Sequence, residues 1–263
     1  MTLDTTSFAD GAIEVTFLQQ QGPNPFTATP ERTAQIRDVA TRIAHFIGDA
    51  KSTIDIAIYD FRLRDEAATI VADGLRSQAR KGVYTRIVYD NAIDPGADAI
   101  ATAAPSHLES DQKPLGTDGF VRSFADVAQA KGVTGYRVLM HNKYILRDVD
   151  SADAAVFTGS SNYTNDSWGL QDNNLLCLRS QQLASYYAKD FTELWSHGKI
   201  VDSTGYRDTG IVRLNDVPVT IAFTPGESPT VLKEIVGAIA AAALRSVRCF
   251  VLWADPRCAV GSY

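Results

Sequence analysis

The stretch from residue 54 to residue 89 does most to limit what this chain can become. Ile54, Ile56 and Ile58 alternate with Asp55 and Ala57, which puts three branched side chains on one face of a strand running to Phe61. Asp65 is read as the N-cap of a helix that continues to about Lys81 and is stopped by Gly82. Val83–Tyr89 is the next strand. Strand, helix and strand within 36 residues make a βαβ unit, and such a unit imposes parallel strands joined by a right-handed crossover. The chain is therefore placed in the α/β class.

Elements on either side extend this unit. Ile13, Val15 and Phe17 alternate with Glu14 and Thr16 as a short strand, and Gly22-Pro-Asn-Pro then breaks the chain. Glu31–Ile47 carries Ile36, Val39, Ala40, Ile43, Phe46 and Ile47 at helical spacing. Residues 91–118, rich in Asp, Ala, Pro, Ser and Gly without a period, are expected to form a long loop. Tyr136–Met140, Lys143–Arg147 and Ala155–Thr158 read as strands. Ser180–Ser196 reads as an amphipathic helix ending at Gly198. A strand from Val217 to Phe223, a breaker at Pro225, a helix through Leu232, Ile235, Val236 and Ile239, and a strand Val247–Trp253 repeat the opening order. That echo points to a duplicated unit.

The whole chain has 263 residues, room for one large unit or for one and a half. No run of 18 apolar residues occurs, so no membrane-spanning helix is expected. The start, Met1-Thr-Leu-Asp, has neither a basic nor an apolar leader region, and the expected location is cytoplasmic. Cys177, Cys249 and Cys258 are too few for a disulfide framework, which fits a reducing interior. A net charge of −6 argues against a protein that coats nucleic acid, since phosphate neutralisation needs basic surface. A local cationic pocket remains compatible with that charge.

Four histidines occur, His45, His107, His141 and His197. Residues 141–148 read His-Asn-Lys-Tyr-Ile-Leu-Arg-Asp, or HxKxxxxD, and Gly159-Ser-Ser-Asn follows. On a strand, residues two apart share a face, so His141 and Lys143 point together, and Ser160 and Asn162 have the same spacing just past the next strand. Imidazole, ammonium, hydroxyl and amide gathered at one spot suit an oxyanion: the cation and donors clamp phosphoryl oxygens while the histidine attacks phosphorus.

HxKxxxxD followed by GSxN resembles the signature of the phospholipase D superfamily. The segments STIDIAIYDF and KGVYTRIVYDN are similar to that family's first strand–helix–strand. The resemblance covers about residues 12–200, with the start of a second family repeat at 217–263. It implies a mixed β-sheet flanked by helices, with the first repeat complete and the second truncated. The implied division is a tail at 1–11, a phospholipase D-like domain at 12–205, a linker at 206–216 and an incomplete second repeat at 217–263. Ten residues separate Asp148 from Gly159, more than the family usually has, and the extra ones are assigned to a hairpin tip.

By the resemblance, His141 is the nucleophile or its acid partner, while Lys143, Ser160 and Asn162 bind phosphate oxygens. Asp148 is mainly structural. Asp172, about ten residues past Asn162, takes the place of a carboxylate that orients the histidine. No metal or other cofactor is implied. His197-Gly-Lys199 is a decoy: Thr204 stands where the motif Asp belongs, and no GSxN follows. His45 reads as a packing residue, His107 as a loop residue, and Tyr163 and Trp168 as buried aromatics beside the motif.

The implied reaction is ping-pong phosphodiester cleavage through a phosphohistidine, hydrolysing or transferring a phospholipid head group. A phosphodiester nuclease acting as a dimer is the close alternative, and a binding-only relative the distant one. Phospholipid stands ahead of nucleic acid as substrate, with peripheral membrane contact possible. The family site uses two HxKxxxxD motifs and this sequence holds one. The second motif is expected from a homodimer or from a C-terminal half.

Overall fold

A computed structural model describes residues 3–22, 28–90, 127–133, 139–200, 210–223 and 228–242. In chain order the first elements are β1 (Asp4–Phe8), β2 (Ile13–Phe17), α1 (Pro30–Gly48), β3 (Thr53–Ile58), β4 (Phe61–Arg62), α2 (Asp65–Arg80), β5 (Tyr84–Asp90) and β6 (Gln129–Val133). They are followed by β7 (Lys143–Arg147), β8 (Ala155–Gly159), β9 (Tyr163–Thr164), α3 (Asn165–Gly169), β10 (Asn174–Arg179) and α4 (Gln181–His197). Last come β11 (Gly210–Leu214), β12 (Val217–Ile221) and α5 (Ser228–Ala242).

Eight strands form one mixed sheet in the order β1-β2-β10-β8-β7-β3-β5-β6. The βαβ expectation holds, with β3 and β5 parallel and Asp55 level with Arg86. That pair closes a two-pronged ion pair, with Arg86 Nε and Nη2 each 2.7 Å from a carboxylate oxygen. The guanidinium also lies over the rings of Phe191 and Trp195 on α4, at 4.8 and 5.5 Å. A charge buried on the sheet is thus neutralised by its strand neighbour and roofed by a helix.

Strand alternation divides the core between the two faces. Ile54, Ile56, Ile58, Ile87, Ile145, Phe157 and Leu175 pack against α1 and α2, whose Val39, Ile43, Ile47, Val71 and Leu75 are buried. Ala57, Val88, Leu146, Val156 and Leu178 face α4, through Leu183, Phe191 and Leu194, and the β11–β12 hairpin, through Val212 and Ile221. The helices start and stop by local chemistry. Thr29 caps α1 by accepting from Arg32 N, and Ser180 caps α4 by accepting from Leu183 N. Gly198 ends α4 in the left-handed conformation at φ 68°.

Several expectations are corrected. Arg64, not Asp65, is the N-cap of α2, and Asp65 opens the helix, where its charge complements the positive end of the dipole. The strand read as running to Phe61 stops at Ile58, and Phe61–Arg62 pairs instead with β9. Residues 4–8, expected in a tail, form the edge strand β1, and residues 210–214, expected in a linker, form β11. Strand β6, parallel to β5, went unread because Gln-Ala-Lys-Gly-Val lacks an apolar alternation. The loop at 91–118, His107, most of the strand at 136–140, and the strand at 247–253 with Cys249 and Cys258 lie outside the described residues; Leu139 and Met140 are irregular. Among the described residues no helix is long and apolar enough to cross a membrane.

Asp148, the last residue of the sequence motif, acts as a fastener. Its Oδ1 accepts from Ser52 N at 2.7 Å and Ser52 Oγ at 2.8 Å, and its Oδ2 from Lys51 N at 2.9 Å. These bonds hold the α1–β3 turn onto the β7–β8 hairpin and keep the carboxyl below its ordinary range. Asp148 sits at φ 52°, a conformation that Asn also tolerates. Asp148→Asn should therefore keep the turn and lose the charge-assisted bonds, at about 3 kcal/mol by urea denaturation. The wild type should lose this contribution as pH falls below about 4, and the variant should lack that acid dependence.

Candidate functional site

His141, Lys143, Ser160 and Asn162 lie at one end of the sheet, and Asp148 lies at the other. β3 and β5 run parallel, so their carboxyl ends coincide, and β7 runs antiparallel to β3, so its amino end lies beside them. β8 is antiparallel to β7 and delivers Gly159 and Ser160 to the same end, where β10 begins at Asn174. Ligand sites in open α/β sheets form outside the carboxyl ends of parallel strands for this topological reason.

His141 lies two residues ahead of β7, and Lys143 is the first residue of that strand. Lys143 Nζ is 3.1 Å from His141 Nδ1 and donates to the His141 carbonyl at 3.0 Å. The Tyr59 ring backs both, with its centroid 4.7 Å from the imidazole and 5.2 Å from Nζ. The alternate residues are fixed on the opposite side: Asn142 Nδ2 and Tyr144 Oη both donate to Asp190 Oδ2 on α4, at 2.8 and 2.6 Å. Tyr59 N donates to the Asn142 carbonyl at 2.8 Å. Alternation along one strand thus separates an anchored face from a chemical face.

Electrostatics follow from burial. Desolvation, with Lys143 nearby, pushes His141 down to about 4, so the imidazole is uncharged at neutral pH. Burial lowers Lys143 to about 7 against the pull of Asp60 and Asp90. Burial raises Asp90 to about 7, against a hydrogen bond from Met140 N. Asp60 is engaged by Arg62, whose Nε and Nη2 lie 2.6 and 2.8 Å from its two oxygens.

Ser160 is reached through Gly159. A Cβ on Gly159 would stand 2.1 Å from the Asn174 carbonyl oxygen, so no other residue fits between β8 and β10 there. Ser160 Oγ donates to Asn173 Oδ1 at 2.8 Å and accepts from Asn174 N and Nδ2 at 3.1 and 3.2 Å. The amide oxygens of Asn162 and Asn174 are buried and accept no hydrogen bond among the described residues. Tyr163 and Trp168 are core residues, 2% and 0% exposed.

Asp172, to which the resemblance gave a histidine-orienting role, stands two residues ahead of β10. Its Oδ1 accepts from Gln20 N at 2.8 Å, tying the chain after β2 to the start of β10. The amides that meet Ser160 belong to the next two residues, Asn173 and Asn174. Reading from sequence also missed Tyr59, Asp60, Asp90 and Asp190. The first three sit at the ends of the two parallel strands, and that position was itself a legible signal. Asp190 had none, because only the fold brings α4 under Asn142. Among the described residues no cluster of His, Cys, Asp or Glu could hold a metal ion.

A family model described as cardiolipin synthase, PLD-like domain, matches residues 43–195, more than half of the chain. No curated protein matches the sequence. Among solved structures, the chain is similar to Nuc from Salmonella typhimurium, a phospholipase D family member, at 16% identity and TM-score 0.45, over 70% of this chain and 93% of that one. It is similar to NucT from Helicobacter pylori at 17% identity and TM-score 0.46, over 70% and 96%. It is also similar to phosphatidylserine synthase from Haemophilus influenzae at 12% identity and TM-score 0.39, over 88% and 46%.

Two expected outcomes test this site. Gly159→Ala should cost about 3 kcal/mol in chemical denaturation, because β8 and β10 must part to admit the methyl group. His141 binds its proton in the unfolded chain near pH 6.5 but in the fold only near 4, so wild-type stability falls on acidification through that window. His141→Asn should flatten that slope in melting temperature measured from pH 7 to pH 4.

Proposed function

Because the chain belongs to the phospholipase D-like domain family, we propose that it cleaves or transfers a phosphodiester through a covalent bond to His141. The supporting observation is the uncharged imidazole 3.1 Å from the buried Lys143 amine, at the sheet end where Ser160 and Asn162 also stand. An ammonium donating to Nδ1 leaves the imidazole proton on Nε2, the acid form. A neutral amine accepting from Nδ1–H frees Nε2, the nucleophilic form. A lysine poised near 7 makes both arrangements accessible at neutral pH.

In the first half-reaction the Nε2 lone pair forms a bond to phosphorus and the bond to the leaving oxygen breaks. That oxygen takes a proton from a general acid and departs as an alcohol. In the second, the oxygen of water or of another alcohol attacks phosphorus and gives its proton to the conjugate base of that acid. The P–N bond breaks, and its electron pair returns to the imidazole. Lys143 and the Asn162 amide stabilise the charge that develops on the non-bridging oxygens.

The general acid comes from a second copy of the motif, on a second copy of this chain or on a partner half. The order hairpin then helix, seen in β1–β2–α1, recurs in β11–β12–α5. That recurrence supports the opening of a second unit at β11, from Gly210. A phospholipid is the preferred substrate, since a net charge of −6 opposes long polyanions.

Release of nitrophenol from bis(p-nitrophenyl) phosphate in the presence of EDTA is the direct test. Activity should persist with EDTA and fall on the order of a thousandfold or more in His141→Ala. Quenching in alkaline denaturant should trap an acid-labile phosphoryl group on the wild type and none on the variant. Undiminished activity in His141→Ala overturns the proposal, and phosphatidylglycerol vesicles compared with single-stranded DNA decide the substrate class.

A further inference from the structure

The Lys143 ammonium is 7% exposed at the residue level, and both of its hydrogen-bonding contacts, His141 Nδ1 and the His141 carbonyl, are uncharged. A buried ammonium needs opposite charge to stay protonated. From β3 and the residues after it come Tyr59 and Asp60, from β4 Arg62, from β5 Asp90, and from the strand's own approach His141. On the far face, Asp190 of α4 is bonded to Asn142 and Tyr144. Asp60 is held by both prongs of Arg62. That leaves Asp90, second to Asp60 in its pull on Lys143, as a carboxylate near the amine with no guanidinium on it among the described residues.

Asp90 also does mechanical work. Its Oδ2 accepts from Met140 N at 2.7 Å, and Met140, 1% exposed, is the residue before His141. The same carboxyl group therefore fixes the backbone that presents the imidazole and supplies charge to the amine beside it.

We propose that Asp90 is a positioning residue of the site, acting through Met140 N on the placement of His141 and through its charge on the protonation of Lys143. The inference deepens the phosphodiesterase reading and rests on it for the catalytic consequence. Asp90 and Lys143 both stand near neutrality, and each charge favours the other: the carboxylate pulls the amine up and the ammonium pulls the carboxyl down. The protonation of Lys143 sets which of the two imidazole tautomers it supports.

Asp90→Asn separates the two roles, because the amide oxygen still accepts from Met140 N while the charge is gone. By nitrogen NMR of lysine-labelled protein, the Lys143 titration midpoint should fall by about one pH unit or more. The alkaline limb of kcat/KM on bis(p-nitrophenyl) phosphate should move to lower pH by the same amount, with melting temperature little changed. Asp90→Ala should add loss of hydrogen-exchange protection at the Met140 amide and a fall in kcat at every pH. Asp90→Glu, which restores charge, should recover the Lys143 midpoint.

Lys143→Met gives the reciprocal measurement: the Asp90 carboxyl carbon should titrate at higher pH once the neighbouring cation is removed. An unchanged Lys143 midpoint in Asp90→Asn, or an unchanged Asp90 midpoint in Lys143→Met, overturns the proposal. If the wild type cleaves no phosphodiester, the reading of function fails, while the two NMR midpoints still decide the role of Asp90.

Discussion

One strand paired in both senses organises this molecule. β3 accepts β5 as a parallel neighbour and β7 as an antiparallel one. Parallel pairing demands a crossover, which α2 provides, and the crossover covers one face with apolar side chains. Antiparallel pairing on the other edge reverses the chain, so the amino end of β7 meets the carboxyl ends of β3 and β5. Polar side chains from five separate segments then converge without any of them leaving its strand end or adjoining turn. Rigid strands hold such groups more tightly than long loops do, which suits chemistry that tolerates little misplacement.

Convergence brings an electrostatic difficulty, which the fold meets by division of labour. Two carboxylates, an ammonium, a guanidinium and an imidazole share a site largely screened from water. Asp60 is quieted by Arg62, and the imidazole stays neutral because burial disfavours its charge. Further away, Asp55 is neutralised by Arg86 and Asp148 by backbone amides. The carboxylates that keep the fold together carry full sets of partners. Among the described residues of the site, burial brings Asp90 and Lys143 to about 7.

How much of this was legible in advance depended on whether the signal was periodic or three-dimensional. The βαβ unit, the helices at 30–48 and 181–197 and the strands at 143–147 and 155–159 follow from apolar spacing and caps, and they stand where the pattern put them. The HxKxxxxD and GSxN residues were visible because each pair sits on one side of a strand or turn. The edge strand β1 was hidden because Asp-Thr-Thr-Ser-Phe is polar up to Phe8 and exposed on every residue, as an edge strand can be. Asp172 was read as the carboxylate that orients His141, and no local pattern singled out the asparagines that bond Ser160. In the structure Asp172 turns to Gln20 N and the asparagines after it turn inward. Asp190 joins Asn142 across 48 residues of sequence, a contact that no local pattern encodes.

The hydroxyl of Ser160 has one proton and two lone pairs, and the protein already occupies all three. Any incoming oxygen that takes that proton must displace the Asn173 amide oxygen, so occupancy becomes an exchange and not an addition. An exchange of this kind compares acceptors: a neutral oxygen such as that of water gains nothing over the amide it replaces, whereas an anionic one does. Ser160 is accordingly closed to weak acceptors by its own bonding, and the strength of the visitor's charge sets the threshold for engaging it.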